Sequence, residues 1–401
     1  MLAWIRPNLN KITCVEDMQR VYKRRVPTMF YDYCETGSWG EQTFKENRSD
    51  FKKIYLRQRV LHDLSHCDLT IKLWDHSLSM PVILAPVGLT GMQCADGEIL
   101  AAKAAKKFGV PYILSTMSIC SIEDISAATD HHPFWYQLYM MKDRAFMEDL
   151  IQRAKRANCS ALVLTVDLQV IGQRHKDIKN GLSTPPKITL KNWLEFVYKY
   201  PWSRGILHTH RRSFGNVVGY ANNVSDISSL SAWTNEQFDK KLNWQDVAWV
   251  RERWNGPLII KGIMEIDDAK HAIKYGADAI VISNHGGRQL DGAPSSISVL
   301  PEIVKSISEI DSSFPILIDG GIRSGQDVLK AIALGAHAVL VGRSYIYGLG
   351  AYGEKGVQKI LSILQNELSC SMAFCGVTEI SKVSRSILRR NPMDKVLDSL
   401  F

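Results

Sequence analysis

Asp278-Ala-Ile-Val-Ile282, running directly into Ser283-Asn-His-Gly-Gly-Arg-Gln-Leu-Asp291, is the stretch on which the reading of the whole chain depends. The apolar run is too short for an ordinary helix and reads as a buried strand. It stops abruptly in a polar turn, which places His285 at the carboxyl end of that strand. The paired glycines open backbone conformations closed to other residues, so a ligand can approach closely. Arg288 follows three residues after the histidine with a planar fork suited to a carboxylate. A base beside a carboxylate clamp is what proton removal next to a carboxyl group needs. Taken alone, the turn reads equally well as an ordinary loop with a satisfied histidine and a surface arginine, so its context has to decide.

Working outward, the same strand-then-turn phrase recurs. Pro81-Val-Ile-Leu-Ala-Pro86, Pro111-Tyr-Ile-Leu114, Phe134-Trp-Tyr-Gln-Leu-Tyr139, Ala161-Leu-Val-Leu-Thr-Val-Asp167 and Pro257-Leu-Ile-Ile-Lys261 precede it, while Pro315-Ile-Leu-Ile-Asp319 and Ala338-Val-Leu-Val-Gly342 follow. Helical segments are expected between them: Asp96 to Phe108 stopped by Gly109, one opened by the capping pair Ser121 and Asp124, and Arg144 to Ala157. Ala272-Ile-Lys-Tyr-Gly-Ala-Asp-Ala279 and Ala331-Ile-Ala-Leu-Gly-Ala-His-Ala338 repeat one helix, glycine stop and strand entry, as any βα series does. The pattern breaks between Gln169 and Asn243. Eight βα units predict an α/β fold of the TIM (β/α)8 barrel type rather than an open doubly wound sheet. No Gly-x-Gly-x-x-Gly follows an early strand, which removes support for a dinucleotide fold. The expected organisation is one domain over residues 1–401, with a polar N-terminal helical segment, a barrel over 80–375 and a long insertion after strand four, over 176–240.

Composition is that of an ordinary globular chain: 401 residues, 45% hydrophobic, 22% charged, with a net charge of +8. The positive balance points to anionic small molecules, nucleic acid or an acidic membrane surface. The eight cysteines are scattered, without Cys-x-x-Cys or zinc spacing, so reduced thiols and no metal are expected. Met1-Leu-Ala-Trp-Ile-Arg-Pro7 lacks the apolar centre of a signal peptide, and no run reaches the ~18 apolar residues of a spanning helix. A soluble or peripheral protein is therefore expected.

Chemistry in such a barrel gathers at the carboxyl ends of the strands. Those ends carry Gly88, Ser115, Gln137 and Tyr139, Thr165 and Asp167, Lys261, Ser283 and His285, Asp319, and Gly342-Arg343. Strands seven and eight run into Asp319-Gly-Gly-Ile-Arg-Ser-Gly325 and Gly342-Arg343, where barrels commonly bind phosphate with loop N–H groups and a helix N-terminus. A cofactor carrying one phosphate is expected there.

With these motifs assembled, the chain resembles the FMN-dependent α-hydroxy-acid dehydrogenase/oxidase family, and within it the bacterial lactate-oxidising members. The similarity runs from Tyr31-Asp-Tyr33 to about Thr378. It rests on Ser-Asn-His-Gly-Gly-Arg-Gln-Leu-Asp together with Leu84-Ala-Pro86, Gln137-Leu-Tyr139, Thr165-Val-Asp167 and Ile318-Asp-Gly-Gly-Ile-Arg323. The resemblance implies FMN as cofactor and oxidation of a small 2-hydroxy acid to the 2-keto acid, with His285 as base in either the carbanion or the hydride version. It implies that Asp167 orients His285 and stabilises its imidazolium, that Arg174 and Arg288 clamp the substrate carboxylate, and that Tyr33 and Tyr139 hydrogen-bond the substrate. Lys261 would stabilise the anion developing at the flavin N1–O2 edge. Pro86, Val87, Gly88, Ser115, Gln137, Thr165 and Ser283 would hold the isoalloxazine, and Asp319 the ribityl chain. Gly320, Gly321, Arg323, Gly342 and Arg343 would take the phosphate.

Met117 stands where glycolate-oxidising members carry a tryptophan, so a two-carbon acid is disfavoured. L-lactate is the expected substrate, with L-mandelate or another larger acid as the alternative, since one methylene is worth only ~1–3 kcal/mol of discrimination. No haem-binding stretch precedes the barrel, which leaves oxygen, a quinone or a soluble carrier as acceptor. The insertion between Lys187 and Tyr220 sets Lys187, Lys191, Lys199, Arg204, Arg211 and Arg212 against the acid Glu195. Trp193, Phe196, Tyr198, Tyr200, Trp202 and Phe214 are interleaved, a mixture that suits anionic headgroups. A mobile lid with solvated charges is the competing reading, and nucleic acid lacks a recognition fold to accompany it. The related membrane-bound dehydrogenases also carry an insertion here. The expectation is a peripheral enzyme on the cytoplasmic face of the inner membrane, touching anionic lipid of the inner leaflet and reducing quinone. A homo-oligomer, commonly a tetramer in the family, is also implied. The rival classes are an oxygen-using hydroxy-acid oxidase and a catalytically idle flavin-binding membrane protein. The complete set of Tyr33, Tyr139, Asp167, Arg174, His285 and Arg288 argues against the second.

Overall fold

The computed structural model describes residues 7–182, 189–218 and 237–389. Among them, eight short parallel strands form one sheet: β1 (Val82–Leu84), β2 (Ile113–Ser115), β3 (Trp135–Tyr139), β4 (Ala161–Thr165), β5 (Leu258–Ile263), β6 (Ala279–Ile282), β7 (Ile316–Ile318) and β8 (Ala338–Val341). Consecutive strands are neighbours, β8 pairs with β1, and a parallel bridge from Leu84 to Tyr112 joins β1 to the entry of β2, so the sheet closes on itself. This is the predicted barrel. Nearly every strand position is buried, because one face fills the barrel and the other meets the helices, and such strands read as continuous apolar runs.

Period-two alternation divides the apolar residues between two cores. Ile83, Ile113, Trp135, Val163, Ile259, Val281, Leu317 and Leu340 point inward. Their alternates, such as Val82, Leu84, Leu162, Ile260 and Ile318, pack outward against the helices. The inner core is plugged by an unanticipated hairpin, Ile71–Leu73 against His76–Leu78. Its Leu73 and Leu78 enter the barrel core, and Trp74 meets Trp135 at 5.9 Å between ring centroids.

The helices follow the expected order. The N-terminal segment forms α1 (Val15–Arg25), α2 (Thr28–Cys34) and α3 (Gln42–Lys52). The outer ring begins with α4 (Gly97–Phe108), α5 (Ile122–Ala128) and α6 (Arg144–Arg156). After β4 come α7 (His175–Lys179), α8 (Leu190–Tyr198), α9 (Tyr200–His208) and α10 (Trp244–Arg253). The ring is completed by α11 (Ile266–Lys274), α12 (Ser296–Ser308), α13 (Gly325–Ala333) and α14 (Arg343–Tyr352), with α15 (Glu354–Phe374) packed beside α14. The boundaries have local causes: Ser121 and Asp124 form the predicted capping box of α5, and Gly109 ends α4 at φ 71°. Lys187 and residues 219–236 of the insertion lie outside the described residues.

Inside the insertion the residue types are more sharply sorted than composition suggested. Leu190, Trp193, Leu194 and Val197 recur at i, i+3, i+4 and i+7 and are all exposed, as are Tyr198 and Tyr200. Phe214 is buried, and Phe196 and Trp202 turn inward to stack on each other. Lys199 is buried as well, and Arg211 pairs with Asp96 and Asp124. These five are therefore structural, unlike the pooled basic and aromatic surface expected from the sequence.

Candidate active site

The stretch Ser283–Asp291 fastens the N-terminal helices to the barrel. Ser283 Oγ accepts from Lys261 Nζ (2.9 Å) and from the His285 N–H (3.1 Å). Asn284 and Asn47 exchange side-chain hydrogen bonds of 2.8 and 2.9 Å, which pins α3 to the turn. The Cβ position of Gly287, at φ 73°, is filled by the Phe44 backbone of α3 at 2.5 Å, so only glycine fits. Gln289 holds the loop after β4 through the Val170 carbonyl and the Gly172 N–H, and Asp291 accepts from the Thr43 N–H at the start of α3. His285 itself sits in left-handed backbone at φ 57°, a conformation uncommon for a side chain larger than glycine's.

That strained turn delivers His285 Nδ1 to Asp167 Oδ1 at 2.8 Å. An ionised carboxylate only accepts, so Nδ1 carries a proton, and in the neutral imidazole Nε2 is the free acceptor. Burial pushes the Asp167 carboxyl up, but His285 and Lys261 more than offset this and hold it below the usual carboxylate range. Lys261 is buried and burial disfavours its charge, yet Asp319 at 3.2 Å and Asp167 keep its ammonium pKa raised. Across the same cavity stand two guanidinium groups, Arg288 4.7 Å and Arg174 5.8 Å from the Tyr33 ring centroid. Arg174 has Asp177 at 2.6 Å, whereas Arg288 donates to the Tyr33 carbonyl. Burial, and then the neighbouring Arg174, lower the Arg288 pKa. Burial likewise raises the phenols of Tyr33 and Tyr139, which stay neutral donors.

The cavity measures about 520 Å³, and its lining includes Tyr33, Pro86, Val87, Gly88, Ser115, Tyr139, Arg174, Lys261, His285, Arg288, Asp319, Gly320, Gly321, Arg323, Gly342 and Arg343. Four expected residues stand immediately behind the wall: Gln137 bonded to Ser115, Asp167 to His285, Ser283 to Lys261, and Thr165 paired in register with Lys261. Sequence reasoning missed Asp177, Leu168, Ile171, Ile178 and Phe238, which also line it. Asp177 carried a weak signal three residues after Arg174. Phe238, edge-on to Tyr139 at 5.5 Å, lies in the stretch without a readable pattern.

The unmet polar atoms test whether FMN fits. Buried Gln137 Nε2, Thr165 Oγ1, Asp319 Oδ1 and Arg323 Nε have no hydrogen-bond partner among the described residues. Such groups cost about 1–3 kcal/mol each unless a ligand satisfies them. They form a series from a donor-acceptor face at β3 and β4, through Asp319, to a cation at the end of β7, which is the order of ring, sugar chain and phosphate. At the β7 and β8 end of the cavity, α13 is already capped by Ser324, Asp327 and Glu367. The start of α14 at Gly342 has no side-chain cap and remains open to an anion. Arg343 uses its nitrogens on the carbonyls of Cys34, Gly286 and Thr36, and burial lowers its pKa to about 10. Gly321 is required for packing as well, since a Cβ there would lie 1.8 Å from the Asn47 carbonyl oxygen. The residues present fit FMN.

Comparison with known proteins agrees. The family model described as FMN-dependent dehydrogenase matches residues 22–390. The L-lactate dehydrogenase of Pseudomonas entomophila is 42% identical over 380 residues, covering 94% of this chain and 98% of that protein. The L-lactate dehydrogenase of Acinetobacter baylyi is 41% identical over 390 residues, covering 97% and 100%. The crystal structure of the monotopic membrane protein (S)-mandelate dehydrogenase superposes with a TM-score of 0.89 at 35% identity, covering 95% of this chain and 100% of that one. With the closed barrel, the His285–Asp167 pair and the cavity's unmet polar atoms, these matches show that the chain belongs to the FMN-dependent dehydrogenase family.

Proposed function

We propose that the protein oxidises L-lactate to pyruvate. The observation that carries this reading is the placement of His285, oriented by Asp167, in one cavity with Arg174, Arg288, Tyr33 and Tyr139. The two arginines would bind the substrate carboxylate, and the tyrosine hydroxyls its C2 oxygen. Nε2 of His285 would take the proton that C2 oxidation releases, leaving an imidazolium that the Asp167 carboxylate stabilises. FMN, when bound, supplies the two-electron acceptor. Lys261 places a fixed positive charge where Asp319 and Ser283 hold it, ready for anionic charge on the ring. Gln137, Thr165, Ser115 and Ser283 would hold the ring, Asp319 the ribityl chain, and Arg323 with the Gly320-Gly321 and Gly342 amides the phosphate. The names of the sequence relatives support lactate. Apolar lining by Leu168, Ile171, Phe214 and Phe238 favours an aryl acid such as L-mandelate as the second reading.

Anaerobic mixing of the purified holoenzyme with L-lactate, glycolate or L-mandelate tests this, followed in the visible flavin band. Rapid bleaching by L-lactate is expected. Bleaching by L-mandelate alone would overturn the substrate assignment, and hydrogen peroxide as the main product in air would make the enzyme an oxidase.

For the acceptor we infer a membrane quinone, reached from the inner leaflet by a peripherally bound enzyme. No helix among the described residues is long and apolar enough to cross a membrane. The exposed stripe of Leu190, Trp193, Leu194 and Val197 supports insertion of one helix face into the headgroup region. Trp193→Glu with Leu194→Glu should lower flotation with anionic liposomes by at least about tenfold, since each side chain is worth about 1.5–3 kcal/mol when buried. Turnover with a soluble dye should persist while turnover with membrane quinone falls. Unchanged flotation would exclude this face. The expected homo-oligomer is checked by light scattering.

A further inference from the structure

We propose that the insertion is also a positioning element for the site: Glu195 and Lys199 grip the turn between α1 and α2 and thereby hold Tyr33 in the cavity. This rests on the reading of Tyr33 as a substrate ligand.

α2 is too short to be stable by itself, so its orientation is set by what holds its ends. Pro27, at its N-cap, provides no side-chain cap. Glu195 of α8 supplies one from outside, accepting from the Thr28 N–H at 2.7 Å and from the Thr28 hydroxyl at 2.6 Å. Just past the end of α8, the buried Lys199 ammonium donates to the carbonyls of Lys23 (3.3 Å) and Val26, at the C-terminal end of α1. Phe30 of α2 meets Trp202 of α9 with ring centroids 5.3 Å apart and planes tilted by 32°, and the Trp202 indole N–H donates to the Met92 carbonyl at 2.8 Å. Asn192 of α8 donates to the Asn180 carbonyl (3.0 Å), and the Asn180 amide reaches Asp32 of α2 (2.6 Å). The far end of α2 enters the site, where Arg288 holds the Tyr33 carbonyl and Arg343 the Cys34 carbonyl. Tyr33 is thus suspended between the arginines of the cavity and the inner face of the insertion.

The outer stripe of α8 would serve a lipid surface without any of these inward bonds. Burial lowers the Lys199 pKa against the pull of Glu195 and Asp32, so the ammonium is retained at a cost that docking alone does not require. A shift of about 1 Å in a substrate-positioning group can change a rate by about 10²-fold. Releasing the outer end of α2 is therefore expected to appear in substrate affinity.

The test uses the full-length holoenzyme with a soluble dye acceptor, with oxalate titration of the flavin spectrum as a binding readout. Glu195→Ala should raise KM for L-lactate and weaken oxalate about tenfold, the loss of one helix cap. FMN content should be unchanged and kcat less affected. Thr28→Val, which removes only the hydroxyl half of the grip, should give about threefold and decides the matter should Glu195→Ala fold poorly. In a Tyr33→Phe background, Glu195→Ala should add nothing further. An unchanged KM in both Glu195→Ala and Thr28→Val, or an equal rise in the Tyr33→Phe background, would overturn the proposal. If Tyr33→Phe by itself leaves KM unchanged, the reading of Tyr33 fails first and the positioning role with it.

Discussion

Replacing His285 with alanine is expected to abolish reduction of the bound flavin by L-lactate while the yellow holoenzyme survives. Among the described residues, the His285 side chain bonds only Asp167, and the turn around it is fastened by Asn284, Gly287, Gln289 and Asp291. Its backbone N–H to Ser283 remains in the variant. The left-handed φ of 57° is already occupied by a residue with a Cβ, so alanine adds no new strain. Removing a positioned base typically costs up to ~10⁴-fold, and here the imidazolium that Asp167 stabilises is lost as well. Anaerobic stopped-flow should show a bleaching rate reduced on the order of 10⁴-fold or more, at unchanged FMN stoichiometry. Bleaching at a near-normal rate would mean that another group removes the proton. Asp167→Asn should fall between the two, because an amide can present a donor to Nδ1 and turn the imidazole into the wrong tautomer.

The same turn explains why the barrel could be read from sequence and the insertion only in part. Barrel strands are buried on both faces, so Ala161–Thr165 or Ala279–Ile282 stand out as apolar runs bounded by turn residues. The proposed site residues were readable because they lie where those runs stop. Hidden was whatever depends on direction rather than composition. In α8, Trp193 and Phe196 look alike in a list of aromatics, yet Trp193 belongs to the exposed stripe while Phe196, one residue before Val197, falls outside its edge and stacks on Trp202. Lys199 and Arg211 read as surface cations, but one caps a distant helix and the other bridges two aspartates. The plug hairpin escaped because Leu73-Trp-Asp-His76 carries no glycine to announce its turn, and Trp74 adopts φ 52° unaided. Arg343 was expected on phosphate from its place after β8, and only the fold could reveal three carbonyls within its reach.

Arg288→Met should produce the second large loss, and its size follows from the charges around it. Two guanidinium groups face the Tyr33 ring, and only Arg174 has a carboxylate, Asp177, at 2.6 Å. Burial and the proximity of Arg174 lower the Arg288 pKa, the signature of a cation that an anionic ligand would relieve. A substrate carboxylate entering between them would exchange its water shell chiefly for the Arg288 fork, because Arg174 is already engaged by Asp177. Methionine keeps the length of the side chain and removes the fork, leaving the carboxylate buried against an apolar tip. Breaking one partner of a buried charge pair costs about 3–5 kcal/mol, which corresponds to about 10²–10⁴-fold in kcat/KM. Arg288→Lys restores the charge but not the planar two-point geometry, so it should recover only part of that loss. Both variants should retain FMN, because Arg288 donates to the Tyr33 carbonyl, away from the Arg323 end of the cavity. A kcat/KM within about threefold of the wild-type value for Arg288→Met, well under the 1.4 kcal/mol of a tenfold change, would remove Arg288 from the carboxylate and leave Arg174 as the clamp.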